Sequence, residues 1–229
     1  MSDPITYRVA VESDLESLID FTIDHACRLE PTGVALKIDP EYFRPVTREI
    51  LIECLSQPLS YVALNQQGEI IGCRTSYLWD PWTKKDNETL QNMLEGLDED
   101  DGVAICIRYL TTLVAGAGDL IPRNAKKIVK FFWICVREDY QRRGIAAKLL
   151  QMDGPAKTSF QLSIAKAREH KCDGIVAKLA AHSSQQLFQK FDFDVLKTIY
   201  HKYFLDSHGN QAIRCKDQTV KGQLCYLGL

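Results

Sequence analysis

The sequence has no marked excess of charge of either sign. Its 28 lysine and arginine residues are balanced by 30 aspartate and glutamate residues, leaving a formal net charge of −2 over 229 residues. Proteins that hold nucleic acid or an anionic membrane surface rely on an extended basic field. Neither partner is therefore expected, and any anion site must be local, built from one turn or a few side chains.

Long hydrophobic runs, targeting signals and metal-ligand motifs are also lacking. No stretch approaches the roughly 18 consecutive apolar residues of a membrane span, and the first seven residues lack the basic and apolar regions of a secretory signal. The eight cysteines form no CxxC pair and no cysteine–histidine spacing typical of a metal site. We expect a soluble cytoplasmic protein with reduced core thiols and no metal.

The order of predicted elements indicates one α/β domain over residues 1–229, with a mixed sheet, helices on both faces and an insert at about 80–125. The first helix is predicted to begin near Ser13, because Ser13 and Glu16 have the spacing of a capping box. In chain order the predicted elements are a strand at 5–11, helices at 13–29 and 40–56, strands at 61–64 and 70–77, a helix at 88–97, a strand at 131–136, helices from 145 and around 160–167, a strand at 174–179, a helix at 183–191, and strands at 195–203 and 219–226.

The segment that follows the apolar run 131–136 indicates an anion site. After a charged turn, the chain opens a helix with Gln-Arg-Arg-Gly-Ile-Ala at 141–146, and the start of a helix presents free N–H groups at its positive end. Gly144 permits close backbone approach, and Arg142 and Arg143 add charge. Alternatively, the arginines are solvated and Gly144 only packs the helix on the strand. The phosphate-loop and dinucleotide glycine motifs are absent from the sequence.

The segment 141–146 resembles the Q/R-x-x-G-x-G/A motif of the GCN5-related N-acetyltransferases (GNAT). The resemblance extends to the element order of almost the whole chain and implies the GNAT fold, in which a central, mostly antiparallel, twisted sheet carries helices on both faces. It also implies acetyl-CoA as cosubstrate, with its pyrophosphate on the amides of the turn and its pantetheine arm along the preceding strand. The residues that this assigns to the cofactor are Ile134, Cys135, Val136, Gln141, Arg142, Arg143, Gly144, Ile145 and Ala146.

Two further features resemble the insect-type arylalkylamine N-acetyltransferase branch. Glu30-Pro31 is similar to its Glu-Pro-Leu motif, which carries a catalytic glutamate, although Thr32 stands in the place of the leucine. Ser184 is similar to a serine in its penultimate helix. This chemistry requires a base. An alkylamine with a pKa of about 10 is protonated at neutral pH, and an ammonium cannot attack a thioester. The resemblance implies acetylation of a small arylalkylamine by a monomer or weak dimer.

Several alternatives remain open on the sequence alone. Phe188 and Ala181 occupy the places of the tyrosine acid and the asparagine found in many family members, and Asp192 replaces a usual glycine. Ser184 or His182 is then the candidate acid, although Ser184 also fits a helix cap and Glu30 also fits a solvated surface position. The acceptor is alternatively a polyamine, for which the acidic run at 97–101 argues, or a protein amine. A degenerate acetyl-CoA sensor is the third reading.

The sequence also offers aromatic candidates for an aryl-binding pocket near Glu30. Each of them fits core packing equally well. They are Tyr42, Phe43, Tyr77, Trp79 and Trp82.

Overall fold

A seven-stranded sheet with the order β1-β2-β3-β4-β5-β7-β6 forms the centre of the molecule. The computed structural model describes residues 4–80, 92–151 and 171–229. Neighbouring strands are antiparallel except for β4 and β5, which run parallel, so the predicted mixed, mostly antiparallel sheet is confirmed. The strands are β1 Thr6–Val9, β2 Tyr61–Leu64, β3 Ile70–Trp79, β4 Ile128–Val136, β5 Gly174–Leu179, β6 Asp194–Tyr200 and β7 Lys221–Gly228.

Helices cover both faces of this sheet. Helices α6 and α7 pack on one face through Ile145, Leu149 and Phe188, while α1, α3 and α4 supply buried residues to the other. A Cβ at Gly72 would lie 3.2 Å from Ile145, so glycine lets α6 approach β3 closely. The helices are α1 Leu15–Phe21, α2 Pro31–Ala35, α3 Arg44–Leu55, α4 Gly102–Val114, α5 Ala117–Leu120, α6 Ile145–Gln151 and α7 His182–Gln189.

The start of the first helix differs from the predicted capping box. Asp14 performs the capping, because its Oδ2 accepts a hydrogen bond from Val11 N at 2.9 Å and its carboxylate pairs with Arg8 at 2.6 Å. The carboxylate of Glu16 instead accepts two hydrogen bonds from Arg48 of α3. A 3₁₀ turn at Glu12–Asp14 precedes α1, and a π-helical turn, Thr22–Cys27, extends it toward Glu30.

Strand β4 changes its partners half-way along its length. Its pairing with β3 shifts register between Thr75 and Ser76, so Phe132 is an extra, bulged residue. The parallel pairing with β5 ends at Phe131 and Ala177. Residues 132–135 are only half-buried, and they lie on the part of β4 that β5 no longer pairs with.

The insert contains a helix that the sequence analysis missed. Of the helix predicted at 88–97, Asn92 is helical and 93–96 form a turn, while 88–91 lie outside the described residues. Helix α4 begins instead after Asp101, whose Oδ1 accepts from Val103 N at 2.7 Å. Its amphipathic pattern was hidden, since seven of its thirteen residues are buried. The predicted helical piece at 160–167 and Trp82 also lie outside the described residues.

One stretch of the described chain, Gly102–Leu120, is long and apolar enough to span a membrane by length and composition. The sequence analysis had found no such stretch. A buried core helix passes the same test, and α4 carries Ile107, Tyr109 and Leu113 with no exposed surface. Gly116, at φ +73°, also interrupts the stretch between α4 and α5. It is therefore weak evidence for a membrane segment.

Candidate active site

An open edge on β4 is the first part of the site. Arg137 N donates to Ile71 O of β3 at 2.9 Å, and successive residues of a strand direct their backbone groups to opposite sides. The N–H and C=O groups of Ile134 and Val136 therefore face away from β3, where β5 no longer pairs with the strand. The backbone of Cys135 faces β3. Two of the three strand residues predicted to hold pantetheine thus present backbone groups to the gap between β4 and β5.

The turn after β4 offers a row of backbone amides. Arg142 and Gly144 have φ angles of +60° and +79°, and such left-handed residues within a turn gather N–H groups on one side. The first α-helical bond of α6 runs from Lys148 N to Gly144 O, so the amides of 145–147 precede the helical ladder. A Cβ added at Gly144 would have nothing within 4 Å. The space beside these amides is open, which is suitable for an anion.

Two side chains of this turn stabilise its conformation. Gln141 Nε2 donates to Val136 O at 3.1 Å, which links the turn to the end of β4 and occupies that carbonyl. Arg143 Nη2 donates to Asp139 O at 2.8 Å, and its guanidinium lies 4.7 Å from the centre of the Tyr140 ring. Both side chains therefore act on the turn itself, whatever their backbone amides bind.

The other residues of the motif have separate environments. Ile145 is buried against the sheet and fixes the start of α6, and Ala146 is half-buried beside it. Arg142 is exposed to solvent. Because Arg143 is turned back toward Tyr140, Arg142 is the arginine of this motif that is placed to add positive charge at the surface of the turn.

Glu30 begins helix α2 and holds its carboxylate in one orientation. A residue before proline favours extended backbone, and proline fits the first helical position; Glu30 accordingly has ψ 121° and serves as the N-cap, with Pro31 following. Its Oε2 accepts from Gly33 N at 2.7 Å. Its Oε1 is buried and has no hydrogen-bond partner among the residues that the structure describes. The carboxylate of Glu30 is therefore not a solvated surface group.

Burial raises the pKa of Glu30, while the hydrogen bond from Gly33 N and the nearby N–H and hydroxyl groups of Thr32 act in the opposite direction. The negative charge of Asp217, in the loop at 204–220 before β7 (the C-terminal loop), raises the pKa of Glu30 further. Desolvation is the larger effect, as expected for a carboxyl removed from water. Glu30 is thus more readily protonated than an exposed glutamate, which makes it a stronger base when ionised.

Several elements converge on this carboxylate. Burial, together with the charge of Glu30, raises the pKa of groups on the π-helical turn, α4 and the C-terminal loop. The positive charge of Lys178 on β5 acts in the opposite direction on the pKa of Cys106 in α4. The groups whose pKa is raised by the charge of Glu30, in addition to burial, are Cys27, Cys106, Tyr109 and Cys215.

A buried pair beside this cluster was missed by the sequence analysis. The Tyr109 hydroxyl lies 3.0 Å from His201 Nε2, and both residues are 1% exposed or less. Burial lowers the pKa of His201 and so favours its neutral form. Tyr109 lies in the insert and His201 follows β6, 92 positions later. No local pattern indicates such a pair.

Helix α7 begins near the same loop. His182 N donates to Thr219 Oγ1 at 3.0 Å, and that hydroxyl donates to Asp217 Oδ2 at 2.8 Å. His182 Nε2 is buried without a hydrogen-bond partner. Ser184 lies in the first turn and is half-exposed. Phe188 is a core residue, whose ring lies 4.9 Å from that of Phe193, so the usual tyrosine is replaced by an apolar contact.

The predicted aromatic pocket residues are placed differently from one another. Tyr77 and Trp79 are 5% and 8% exposed and belong to the core, with Lys130 Nζ 5.5 and 5.0 Å from their ring centres. Tyr42 is 40% exposed and packs edge-on against half-buried Phe43. Phe132 and Trp133 lie on the part of β4 that does not pair with β5, and their rings are 5.2 Å apart.

Trp133 Nε1 is buried and has no hydrogen-bond partner within the described part of the chain. Phe132 is the bulged residue of β4 and Trp133 follows it, and neither was singled out from the sequence. Among residues 4–80, 92–151 and 171–229, no group of three or more histidine, cysteine, aspartate or glutamate side chains is arranged to hold a metal ion.

The fold is similar to that of known N-acetyltransferases. Arylalkylamine N-acetyltransferase 2 from Aedes aegypti matches with a TM-score of 0.81 and 16% identity, covering 99% of this chain and 99% of that chain. Polyamine N-acetyltransferase from Drosophila melanogaster, which forms N-acetylagmatine, matches with a TM-score of 0.75 and 19% identity over 99% and 100%. Arabidopsis thaliana NAA60 in complex with acetyl-CoA has a TM-score of 0.53 and 16% identity over 99% and 100%.

At 16–19% identity, these structural matches show a shared fold. A search of curated protein sequences finds no match. The family model described as "Acetyltransferase (GNAT) family" matches residues 29–193, more than half of the chain. The matched range begins one residue before Glu30 and contains β4 and the turn at 141–146. The chain therefore belongs to the GNAT family and is an acetyl-CoA-dependent acyltransferase.

Proposed function

We propose that this enzyme transfers the acetyl group of acetyl-CoA to the primary amine of a small arylalkylamine. The observation that carries the proposal is the buried, unpartnered Oε1 of Glu30, fixed by the bond from Gly33 N to Oε2. Fixed orientation and partial desolvation are what a general base requires. Phe132 and Trp133 beside the gap provide aromatic surface for the ring of the amine.

The donor half of the site is assigned to the gap and the turn. Acetyl-CoA supplies an activated acetyl group as a thioester. We place its pyrophosphate against the amides of 142–146, with Arg142 adding positive charge, and its pantetheine arm along Ile134 and Val136. An N–H group on this edge is suited to stabilise negative charge that develops on the thioester oxygen, because backbone donors fixed in place need no reorganisation.

The acceptor half is assigned to Glu30. Its ionised carboxylate attracts the ammonium form of the amine and takes one proton, and the neutral nitrogen then attacks the thioester carbon. A covalent enzyme intermediate is not needed, because the amine itself displaces the thiolate. The second proton leaves the nitrogen as the amide forms, and one proton is returned to the thiolate sulfur.

We propose Ser184 as the residue that relays a proton to the thiolate. Its support is its half-exposed place in the first turn of α7, just beyond the end of β5, where the gap opens. Phe188 has no proton to give. Ser184→Ala should lower kcat with little change in KM, while Ser183→Ala, at an exposed neighbouring position, should not. Equal kinetics for the two variants would remove Ser184 from the mechanism.

A thiol-release assay with acetyl-CoA tests the proposed function. Phenylethylamine, tyramine, agmatine, spermidine and a lysine-containing peptide are compared at one pH by kcat/KM, with product masses confirming acetylation. The proposal expects the arylalkylamines to be the best substrates and Glu30→Gln to suppress turnover while CoA still binds. Tight CoA binding with no thiol release for any amine would contradict it and favour a sensor.

A second candidate acceptor is a diamine such as agmatine, favoured by one observation. Asp217 is exposed, and its charge raises the pKa of Glu30, so two carboxylates face the same region. Asp217 is held by bonds from the Thr219 amide and hydroxyl at 3.0 and 2.8 Å. A diamine whose first nitrogen is at Glu30 would have a partner for its second charge there.

Asp217→Asn separates the two acceptors. With a diamine acceptor, kcat/KM for agmatine should fall about tenfold or more relative to that for phenylethylamine, since a charge-assisted contact is lost. With an arylalkylamine acceptor, the ratio of the two should stay constant. Asp206→Asn, elsewhere in the same C-terminal loop, is the control for the loss of one negative charge.

A further inference from the structure

We propose that the Thr32 hydroxyl is a second direct contact for the acceptor nitrogen, acting beside Glu30. The inference rests on the proposed function, and it adds a substrate-binding residue to it. Thr32 occupies the position where the motif that Glu30-Pro31 resembles has a leucine, so this contact would be particular to this chain.

The geometry places two unused oxygens in one buried turn. Thr32 has no exposed surface, and among the described residues its Oγ1 makes no hydrogen bond. Glu30 Oε1 is likewise buried and has no hydrogen-bond partner in the same part of the chain. Buried polar atoms are nearly always hydrogen-bonded, and an exception requires an explanation. Two exceptions side by side, in a carboxylate and a hydroxyl, indicate a shared ligand that donates hydrogen bonds.

The two atoms are neighbours because of the local fold. Glu30 is the N-cap of α2 and Thr32 is its second helical residue. The Thr32 hydroxyl is close enough to Glu30 to help lower its pKa against the effect of burial, yet it makes no well-aligned bond with any atom of residues 4–80, 92–151 and 171–229. The other carboxylate oxygen is occupied by Gly33 N. The pair thus presents its free atoms in a fixed arrangement.

An alkylammonium has the hydrogen-bonding pattern that this pair lacks. One N–H donates to Glu30 Oε1 and a second donates to Thr32 Oγ1, while the hydroxyl proton is directed to the carboxylate. When Glu30 takes its proton, Thr32 still holds the neutral nitrogen through the second N–H. The nitrogen lone pair is then free to attack the thioester. A leucine at this position provides no such contact.

Steady-state kinetics of three variants test the contact. Thr32→Val removes the hydroxyl and keeps the shape, Thr32→Ser restores a hydroxyl, and Thr22→Val is the matched control. Thr22 is also fully buried with an unpartnered Oγ1, but it lies in the π-helical turn. The probes are phenylethylamine and agmatine with acetyl-CoA, and thermal melting confirms that each variant is folded.

Thr32→Val should raise the amine KM and lower kcat/KM for the amine by about tenfold to a hundredfold, as for loss of one hydrogen bond to a charged group. The KM for acetyl-CoA should stay within about twofold, and Thr32→Ser should recover most of the loss. Thr22→Val should behave as the wild type.

Three results would overturn the inference: unchanged amine kinetics in Thr32→Val, an equal loss in Thr22→Val, or no recovery in Thr32→Ser. If the wild type acetylates neither amine, the proposed function fails and this inference fails with it. If Glu30→Gln suppresses turnover and Thr32→Val does not, Thr32 alone is removed from the site.

Discussion

At the scale of single residues, Glu30 combines a structural role with the catalytic role that we propose. Its Oε2 caps helix α2 through Gly33 N, and its buried Oε1 has no hydrogen-bond partner among the described residues. The capping bond restricts the side chain, so the proposed base does not have to be ordered when the amine binds. The same burial that raises its pKa also makes the ionised carboxylate costly for the folded state.

The activity of the wild type should rise with pH as Glu30 loses its proton, because only the ionised carboxylate can act as base. Glu30→Gln should lower kcat/KM for amines by roughly a hundredfold to ten-thousandfold, which is typical for loss of a general base, and should flatten that rise. The measurement is kcat/KM between pH 6 and 9. A variant that keeps the wild-type profile would show that another group is the base.

The same substitution should stabilise the protein near neutral pH. Since the pKa of Glu30 is raised in the folded state, its favourable contribution to the free energy of unfolding is present below the ordinary carboxyl pKa and is lost as pH rises through the raised value. Glu30→Gln should therefore melt above the wild type at pH 8, with a difference that narrows toward pH 4. Exposed Glu12→Gln serves as the control for charge. A lower melting temperature at pH 8 would contradict the argument.

At the scale of elements, the bulge in β4 creates the site. Before the bulge, β4 is an ordinary central strand between β3 and β5. After it, none of the described strands pairs with the side of β4 that faces β5, and the turn at 141–146 follows the end of the strand. A strand with an unpaired edge would ordinarily be a liability. Here the edge faces inward, between two strands of the same sheet, where a cosubstrate can complete the pairing.

The turn depends on the backbone conformation of Gly144. Gly144→Ala should weaken CoA binding by about tenfold or more, because a left-handed alanine costs roughly 1–2 kcal/mol and shifts the amides. Gly68→Ala is a matched control, since Gly68 has φ +78°, equally open space and a place in the β2–β3 hairpin. Calorimetric titration with CoA measures both. Equal affinities for the two variants would refute the assigned phosphate turn.

Helix α4 is joined to β6 by Lys197. Its Nζ donates to Thr112 O and Ala115 O at 2.6 and 2.9 Å, so a cation caps the C-terminus of the helix. Lys197→Met should lower stability by about 0.5–1 kcal/mol, which corresponds to about 2 °C in melting temperature. Lys202→Met, on the exposed segment after β6, is a control. No difference between the variants would show that this cap contributes nothing measurable.

At the scale of the whole molecule, the residues assigned to the cosubstrate and the proposed base belong to helical layers on opposite faces of one sheet. The layer with α6 carries the turn assigned to the cosubstrate, and Glu30 lies with the layer of α1, α3 and α4. In addition to burial, the charge of Glu30 raises the pKa of Cys27, and Cys27 raises the pKa of Cys135 on β4. Strand β4 therefore lies between the two sides. The thioester would reach Glu30 through the gap between β4 and β5.

The eight cysteines make the fold sensitive to alkali. All are reduced thiols, and burial raises the pKa of each, to about 12 for Cys54 and about 11 for Cys225. A raised folded-state pKa gives stability that is present below the ordinary thiol pKa and lost as pH rises toward the folded value. Urea unfolding with reductant should show stability falling from about pH 8 to about pH 10.5, the range in which an unfolded thiol ionises.

Cys225→Ala should reduce the steepness of that fall relative to the wild type, whatever cavity it leaves, because one titrating thiol has been removed. The slope with pH therefore separates the effect of titration from that of packing. A slope that is unchanged in this variant, or stability that does not fall with pH in the wild type, would contradict the account.

Local features of the site could be predicted from the sequence because they depend on residues a few positions apart. Gly144 and the helix start set the amides of the turn, and Glu30-Pro31 sets the N-cap. The type of sheet and most strand positions also followed, since hydrophobic periodicity and turn residues act over short distances. The family followed from the resemblance of 141–146 to a known motif. Helix α4 could not be predicted in this way, because a helix that is buried on most sides lacks an amphipathic face.

Only the tertiary structure decided what surrounds Glu30. The separation of β4 from β5, the meeting of Tyr109 with His201, and the approach of Asp217 join residues that are far apart in the chain. They arise from the packing of whole elements, and no short-range preference encodes them. The sequence thus determined the donor chemistry and the candidate base, whereas the burial of Glu30 depends on the layers that close over that turn.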